Sequence, residues 1–171
     1  MCIRDRFKEG ILGFKDILKK LKEERNTITA TIQNLNELRI LREEFRELQF
    51  SDGYITDDFK SHLALKNNPI LKSEKLCLSV KAKGHWYYVQ ALKHFLLRDF
   101  KTALKVSATY VDFLEENSEL FPVSSRLPAI SNYIYFAARI KNKNSFDKGI
   151  NILKKISELP NIDLILSLIH I

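Results

Sequence analysis

The stretch that decides the fold is GHWYYVQALKHFLLRDFKTALKVSATYVDFLEEN at 84–117, together with its counterpart ISNYIYFAARIKNKNSFDKGINILKKISELPN at 130–161. Each has two small residues twelve apart, with an aromatic residue three before the second. The equivalent positions are Ala91 and Ala137, Phe100 and Phe146, and Ala103 and Gly149. The pattern predicts two helical hairpins whose helices touch at small residues, Ala91 on Ala103 and Ala137 on Gly149. Such a hairpin cannot bury its apolar face alone and must stack on a neighbour.

The chain before these hairpins also has a helical period. Apolar residues recur three or four apart between Phe14 and Leu48, with a polar interruption just before Thr27. We expect two helices, at about 7–24 and 27–49, with Thr27 as the N-cap of the second. A single long helix and a short coiled coil at 28–48 are the alternatives.

Turn and capping residues place the remaining helices. Ser73 is the expected N-cap of a helix from 74 to 98, in which Gly84 marks a kink or a restart. A helix opening near Ser125 is expected to hold Pro128 in its first turn. No segment alternates as a strand would. The remaining helices are predicted at about 56–66, 100–117, 125–141 and 146–159.

Composition favours a folded helical domain. Hydrophobic residues make up 45% of the 171 residues, and only 5 Gly and 4 Pro are present. The net charge of +7 permits contact with nucleic acid or an anionic membrane without indicating either. No apolar run reaches the ~18 residues of a membrane span. Cys77, alone inside the chain, is expected to be a small core residue.

Both ends resemble translated sequencing-adapter sequence. MCIRDR at 1–6 and LSLIHI at 166–171 have this character, so we expect artefacts at both termini and a native start that is missing. The expected organisation is an artefact at 1–6, N-terminal helices with a possible degenerate repeat at 7–73, two hairpins at 74–161, and a tail at 162–171 that is also an artefact.

The two hairpins resemble tetratricopeptide repeats. That 34-residue unit has aromatic residues at positions four and seventeen and small residues at eight and twenty. Counted from Gly84 and from Ile130, those positions are Tyr87, Phe100, Ala91 and Ala103 in the first unit, and Tyr133, Phe146, Ala137 and Gly149 in the second. The resemblance covers about 70–75 residues. It implies an all-α fold of antiparallel helix pairs stacked as a segment of a right-handed α-solenoid.

The match to the repeat is incomplete. The first unit departs from the usual residues at Gln90, Ser107, Tyr110 and Glu115, and the second starts 46 residues after the first, at 130 rather than 118. Degenerate units with long loops are typical of tetratricopeptide-like proteins from environmental bacteria, for which the family implies no reaction.

The resemblance also implies a partner surface. Family members bind an extended or helical peptide in a groove lined by the first helix of each unit. The partner-binding positions would be Tyr88, Leu92, Phe95, Ile134, Ala138 and Lys141, beside His85 and Ser131. Tyr88 and Leu92 stand where a carboxylate clamp needs Lys and Asn, so an apolar and aromatic groove is expected. The alternative is that these side chains pack against a preceding or following helix that was lost to truncation.

The sequence does not favour a metal site or a catalytic site. His85 and His94 are nine residues apart, whereas two metal ligands on one helix need a spacing of about four. The paired acids Glu43 and Glu44 are interpreted as a solvated face or a helix-end charge, as are the pairs at 57–58 and 115–116. No phosphate-binding loop or framed nucleophile occurs. We expect no catalytic residue, no cofactor and no metal.

The sequence therefore predicts a non-catalytic protein–protein interaction scaffold of the cytoplasm. It would present an apolar, aromatic concave surface to a partner peptide or helix, and we expect no membrane partner. The alternatives are a structural or regulatory helical segment of a larger sensor or transferase and, less favoured, a basic helical repeat that binds nucleic acid.

Overall fold

The structure is a computed structural model that describes residues 16–19, 30–50 and 67–158. Within those ranges every regular element is a helix and no strand occurs, which confirms the predicted all-α class. The α-helices are α1 (Ala30–Phe50), α2 (Val80–Leu96), α3 (Phe100–Glu116), α4 (Val123–Arg139) and α5 (Lys143–Ser157). Most of the predicted helix at 7–24, the helix at 56–66, the Thr27 cap and both adapter-like ends lie outside the described residues.

The chain divides into two compact units after Arg98. The first unit contains α1 and α2, and the second contains α3, α4 and α5. The sequence divided the chain at 73 instead, within the first unit. The predicted contact of Ala91 with Ala103 joins residues of different units and stays a prediction.

The first unit is built on the packing of α1 against α2. The apolar stripe predicted along α1 supplies one side of the interface, and α2 supplies the other. We call this cluster the α1–α2 core; its buried members are Leu38, Leu41, Phe45, Leu71, Ala82, Val89, Leu92 and Leu96. Ile32, at the start of the predicted stripe, is exposed.

Residues 67–79 precede α2 in the first unit, and we call this segment the strap. It contains two short 3₁₀ helices, Pro69–Lys72 and Glu74–Leu76. Side chains of α2 hold it: Trp86 Nε1 donates to the Ile70 carbonyl at 3.0 Å, and Gln90 Nε2 donates to the Leu71 carbonyl at 2.6 Å. Leu71 is buried in the α1–α2 core.

The predicted helix start at 74 is wrong. The Ser73 hydroxyl accepts from the Lys75 amide but caps only a single 3₁₀ turn. The chain is then extended until Ser79, whose hydroxyl accepts from the Ala82 amide at 3.1 Å and caps α2. Helix formation is delayed because the Asn34 side chain already satisfies backbone groups of residues 76 and 78.

In the second unit, α4 packs against both α3 and α5. Two predicted starts need correction. α4 begins at Val123 rather than Ser125, because the Pro122 carbonyl already accepts from residues 125 and 126, so Pro128 lies inside the helix. α5 begins at Lys143 rather than at 146, because the Asn142 side chain accepts from the Ser145 amide at 3.0 Å and caps the helix there.

The structure shows α5 lying close to α4 at Gly149, beside Tyr133 and Ile134, whereas the predicted contact of Gly149 with Ala137 stays a prediction. A Cβ atom at this position would lie 2.5 Å from Ile134 Cγ1 and 3.2 Å from Tyr133 Cδ1, both on α4. A residue with a side chain therefore fits there only if the Ile134 side chain shifts or α4 and α5 move apart. Ala137, the predicted partner, is fully buried one turn beyond Tyr133.

Candidate interaction surface

In the first unit the predicted groove residues lie against α1. Leu92 is 4% exposed and belongs to the α1–α2 core, while Tyr88 and Phe95 are partly buried and pack against that core. These side chains therefore pack inside the chain, on a core that α1 helps to form, rather than against a helix lost to truncation. Contact of these three side chains with a partner stays a prediction, and Leu92 offers almost no surface for it.

A charged cluster lies beside the α1–α2 interface, and the interpretation of its acidic residue from the sequence was wrong. Glu43 is 1% exposed, so its assignment to a solvated face is wrong. Its carboxylate accepts from Arg42 Nε at 2.6 Å and lies 3.5 Å from Arg46 Nη1. Burial of a carboxylate is tolerable only with such partners. The Glu43 carboxylate is therefore engaged by two arginines of its own helix.

His85 and Tyr88 of α2 face this cluster. Arg42 Nη1 lies 3.5 Å from His85 Nδ1. Burial, reinforced by Arg42 and Arg39, lowers the pKa of His85 to about 4. Burial raises the pKa of Tyr88, an effect that Glu43 strengthens and the arginines oppose. Both side chains are therefore neutral at neutral pH.

The described residues show no arrangement that would hold a metal ion. No three His, Cys, Asp or Glu side chains come together in these ranges. Cys77 packs against the α1–α2 core, as expected, and burial together with the Glu74 carboxylate raises the pKa of its thiol to about 11. The thiol is thus protonated and unreactive at neutral pH.

In the second unit the predicted residues divide between interface and surface. Ile134 is half-buried against Gly149 of α5. Ala138 and Lys141 are exposed, and Lys141 has a φ of 57° where the chain leaves α4. Asn142 N donates to the Ala137 carbonyl at 2.9 Å, which closes this helix end.

The residue that sequence reasoning missed is Tyr135. Its side chain is 44% exposed, and it lies four residues after Ser131 and three before Ala138, which are both exposed. These spacings put the three on one face of the helix. We call Ser131, Tyr135 and Ala138 the α4 outer stripe. The opposite face of α4 is buried, at Ala129, Ile130, Tyr133, Phe136 and Ala137.

The Tyr135 side chain is oriented by its neighbour. Its ring meets the ring of Phe136 edge to face, with centroids 5.6 Å apart and planes at 68°. Phe136 is buried and also lies near Phe100 of α3, at 6.5 Å between centroids. An exposed aromatic ring thus stands on a helix that is fixed from its inner side. The signal that could have identified Tyr135 is its helical spacing from Ser131 and Ala138.

Comparison with known proteins adds no family: no family model matches the chain, and neither a curated protein nor a solved structure shows significant similarity to it. Among the helices that the structure describes, none has the length and apolar character needed to cross a bilayer.

Proposed function

We propose that this chain is a tetratricopeptide-like segment of a right-handed α-solenoid that serves as a non-catalytic protein–protein interaction scaffold. Packing inside the second unit supports the repeat assignment. There α4 packs on α5, the pair that the second predicted hairpin requires, and also on α3. The close approach at Gly149 supports it further, because the repeat needs a small residue at that position.

The observation that carries the proposed function is the α4 outer stripe. Tyr135 combines a large apolar ring with a hydroxyl, and aromatic residues of this kind are enriched among the side chains that dominate binding energy. Because α4 is held by α3 and α5 on its inner face, presenting this ring to a partner requires little ordering. Ala138 beside it leaves room for the side chain of a peptide or helix, and Lys141 adds a positive charge at one end.

The α4 outer stripe replaces Tyr88 and Phe95 as the place to test binding. Tyr88 and Phe95, two of the predicted partner-binding positions, are unsuitable because both rings pack against the α1–α2 core, so truncating them would disturb folding and binding together. Tyr135 can be shortened with a smaller effect on the fold, since nearly half of its surface is exposed.

The experiment is a selection from a displayed peptide library on the intact chain, followed by titration calorimetry of the selected peptides. We expect Tyr135→Ala to weaken their binding about 30-fold, the effect of losing a binding hot spot. The matched control is Leu120→Ala, which truncates a similarly exposed apolar side chain of the same unit, outside α4. Peptides that bind both variants as tightly as the unchanged chain would remove the α4 outer stripe from the proposal.

A structural or regulatory role within a larger protein is the second candidate. It is favoured by the packing of Tyr88, Leu92 and Phe95 against α1, which turns predicted binding residues into supports of the fold. The complete reading frame tests it: a catalytic or membrane domain beside this segment supports the structural role.

A further inference from the structure

The end of the strap holds aliphatic side chains in solvent. Leu76 is 46% exposed, Leu78 55% and Val80 39%, which places them among the most exposed large hydrophobic side chains of the described residues. We call these three residues the Leu76–Val80 patch. Cys77, between the two leucines, packs against the α1–α2 core instead. The backbone thus alternates, with the larger side chains outward and the small thiol inward.

This exposure is fixed by hydrogen bonds on both sides of the patch. The Asn34 side chain of α1 acts as donor and acceptor at once: Nδ2 donates to the Leu76 carbonyl at 2.9 Å, and Oδ1 accepts from the Leu78 amide at 2.9 Å. Ser79 then caps α2. Turning the leucines inward would break these bonds, so their exposure is a property of the folded backbone.

Lysines flank the patch along the chain. Lys72, Lys75 and Lys81 are exposed, and Glu74 is the only acidic residue from 72 to 83. The Glu74 carboxylate is already engaged, because the Tyr87 hydroxyl donates to it at 2.5 Å and Lys83 Nζ lies 3.4 Å away. The segment that contains the leucines, residues 72–83, therefore carries a net positive charge.

We infer that the Leu76–Val80 patch docks on an anionic lipid surface. Aliphatic side chains that enter the boundary between headgroups and acyl chains, with lysines beside them at the phosphates, are what reversible interfacial binding requires. A stable protein interface needs about 800 Å² from each partner, far more than three half-exposed side chains provide. The net charge of +7 permits this contact, and the fixed exposure of the leucines is the feature that points to it.

Vesicle co-sedimentation of the whole chain tests the inference. One set of vesicles is phosphatidylcholine alone, and the other contains phosphatidylcholine and phosphatidylglycerol in equal parts. We expect binding to the second set only, weakening as NaCl is raised. Leu78→Ser should lower the partition coefficient about tenfold, since it removes an inserted apolar side chain. Leu120→Ser, which changes an exposed leucine of the second unit, should leave the partition coefficient unchanged.

A charge-matched pair completes the design. Lys72→Gln, Lys75→Gln and Lys81→Gln in one chain should lower the partition coefficient by about tenfold or more. Lys143→Gln, Lys154→Gln and Lys155→Gln remove the same charge from α5 and should have less than a third of that effect. Equal losses in the two triple variants, or no loss with Leu78→Ser, would overturn the inference. So would a chain that binds neither set of vesicles but binds an acidic amphipathic peptide through Leu78, because the patch would then belong to a protein partner.

Discussion

His85 makes the stability of the first unit depend on pH. The fold lowers its pKa from the ordinary 6.5 to about 4, because the ring is buried beside Arg42 and Arg39. Below pH 6.5 the unfolded chain therefore binds more protons than the folded one. The stability present above that pH is lost as the pH falls toward 4, by roughly 3 kcal/mol at most.

Urea unfolding at several pH values, with His85→Gln as the comparison, measures this contribution. Since glutamine does not titrate, the stability advantage of the unchanged chain over the variant should shrink between pH 6.5 and pH 4. NMR titration of the His85 ring in the folded chain should give a midpoint near 4. A midpoint near 6.5 would mean that the ring is solvated and that the Arg42 contact is absent in solution.

Glu43 and Glu44 show what a sequence leaves open at this scale. They are adjacent, chemically identical and both in α1, so one solvated face was the economical interpretation. In the structure Glu43 is buried beneath Arg42 and Arg46, while Glu44 is partly exposed. The 100° turn between successive helical residues separates them, but which side of α1 is covered depends on other parts of the chain. Burial of a charge could not be predicted from local pattern alone.

At the scale of elements, the α4–α5 hairpin depends on Gly149. Replacing it with Ala improves helix propensity by about 1 kcal/mol. The new Cβ, however, would sit 2.5 Å from Ile134 Cγ1, an atom of a stiff β-branched side chain. We expect the steric clash to outweigh the gain in helix propensity, so the free energy of unfolding should fall by about 1–2 kcal/mol. Thermal and urea unfolding measure it.

A double-mutant cycle separates the contact from other effects of the substitution. In an Ile134→Ala background the clashing atom is gone, so Gly149→Ala should be neutral or stabilising there. The coupling between the two sites should exceed about 0.5 kcal/mol. A Gly149→Ala chain that is more stable than the original would show that the helices are not in close contact at this position.

The sequence predicted which segments form helices, but it did not predict the residues at which those helices begin. The helical periods of α1, α2 and α5 are strong enough to identify them as helices without the structure. The helix starts depended on which nearby residue precedes each helix. α2 begins after Ser79 rather than Ser73, α4 after Pro122 rather than near Ser125, and α5 after Asn142 rather than at Phe146. For α2 the choice was made by Asn34, more than forty residues earlier in the chain. A local signal cannot report a partner that distant.

For the molecule as a whole, the prediction of the binding residues depended on which helix faces are covered. The repeat pattern treats Leu92 and Ala138 as equivalent groove positions. In the first unit Leu92 is buried in the α1–α2 core, while in the second unit Ala138 is exposed. The pattern of a single hairpin does not show which of its faces another helix covers. The sequence therefore identified Ser131 and Ala138 of the α4 outer stripe as groove residues, but it did not identify Tyr135.

Continuity of the repeats is the remaining whole-molecule prediction. If a repeat joins residues of the first unit to those of the second, Ala91 and Ala103 should be coupled energetically. Ala103 is fully buried, so Ala103→Leu should lower the free energy of unfolding by about 1–3 kcal/mol through overpacking. Ala91→Gly would then create room for the added leucine, and the double variant should lose at least about 0.5 kcal/mol less than the sum of the single losses. Additive losses in urea unfolding would mean that a different surface faces Ala103, and the first tetratricopeptide-like unit would have to be abandoned while the α4–α5 hairpin stands.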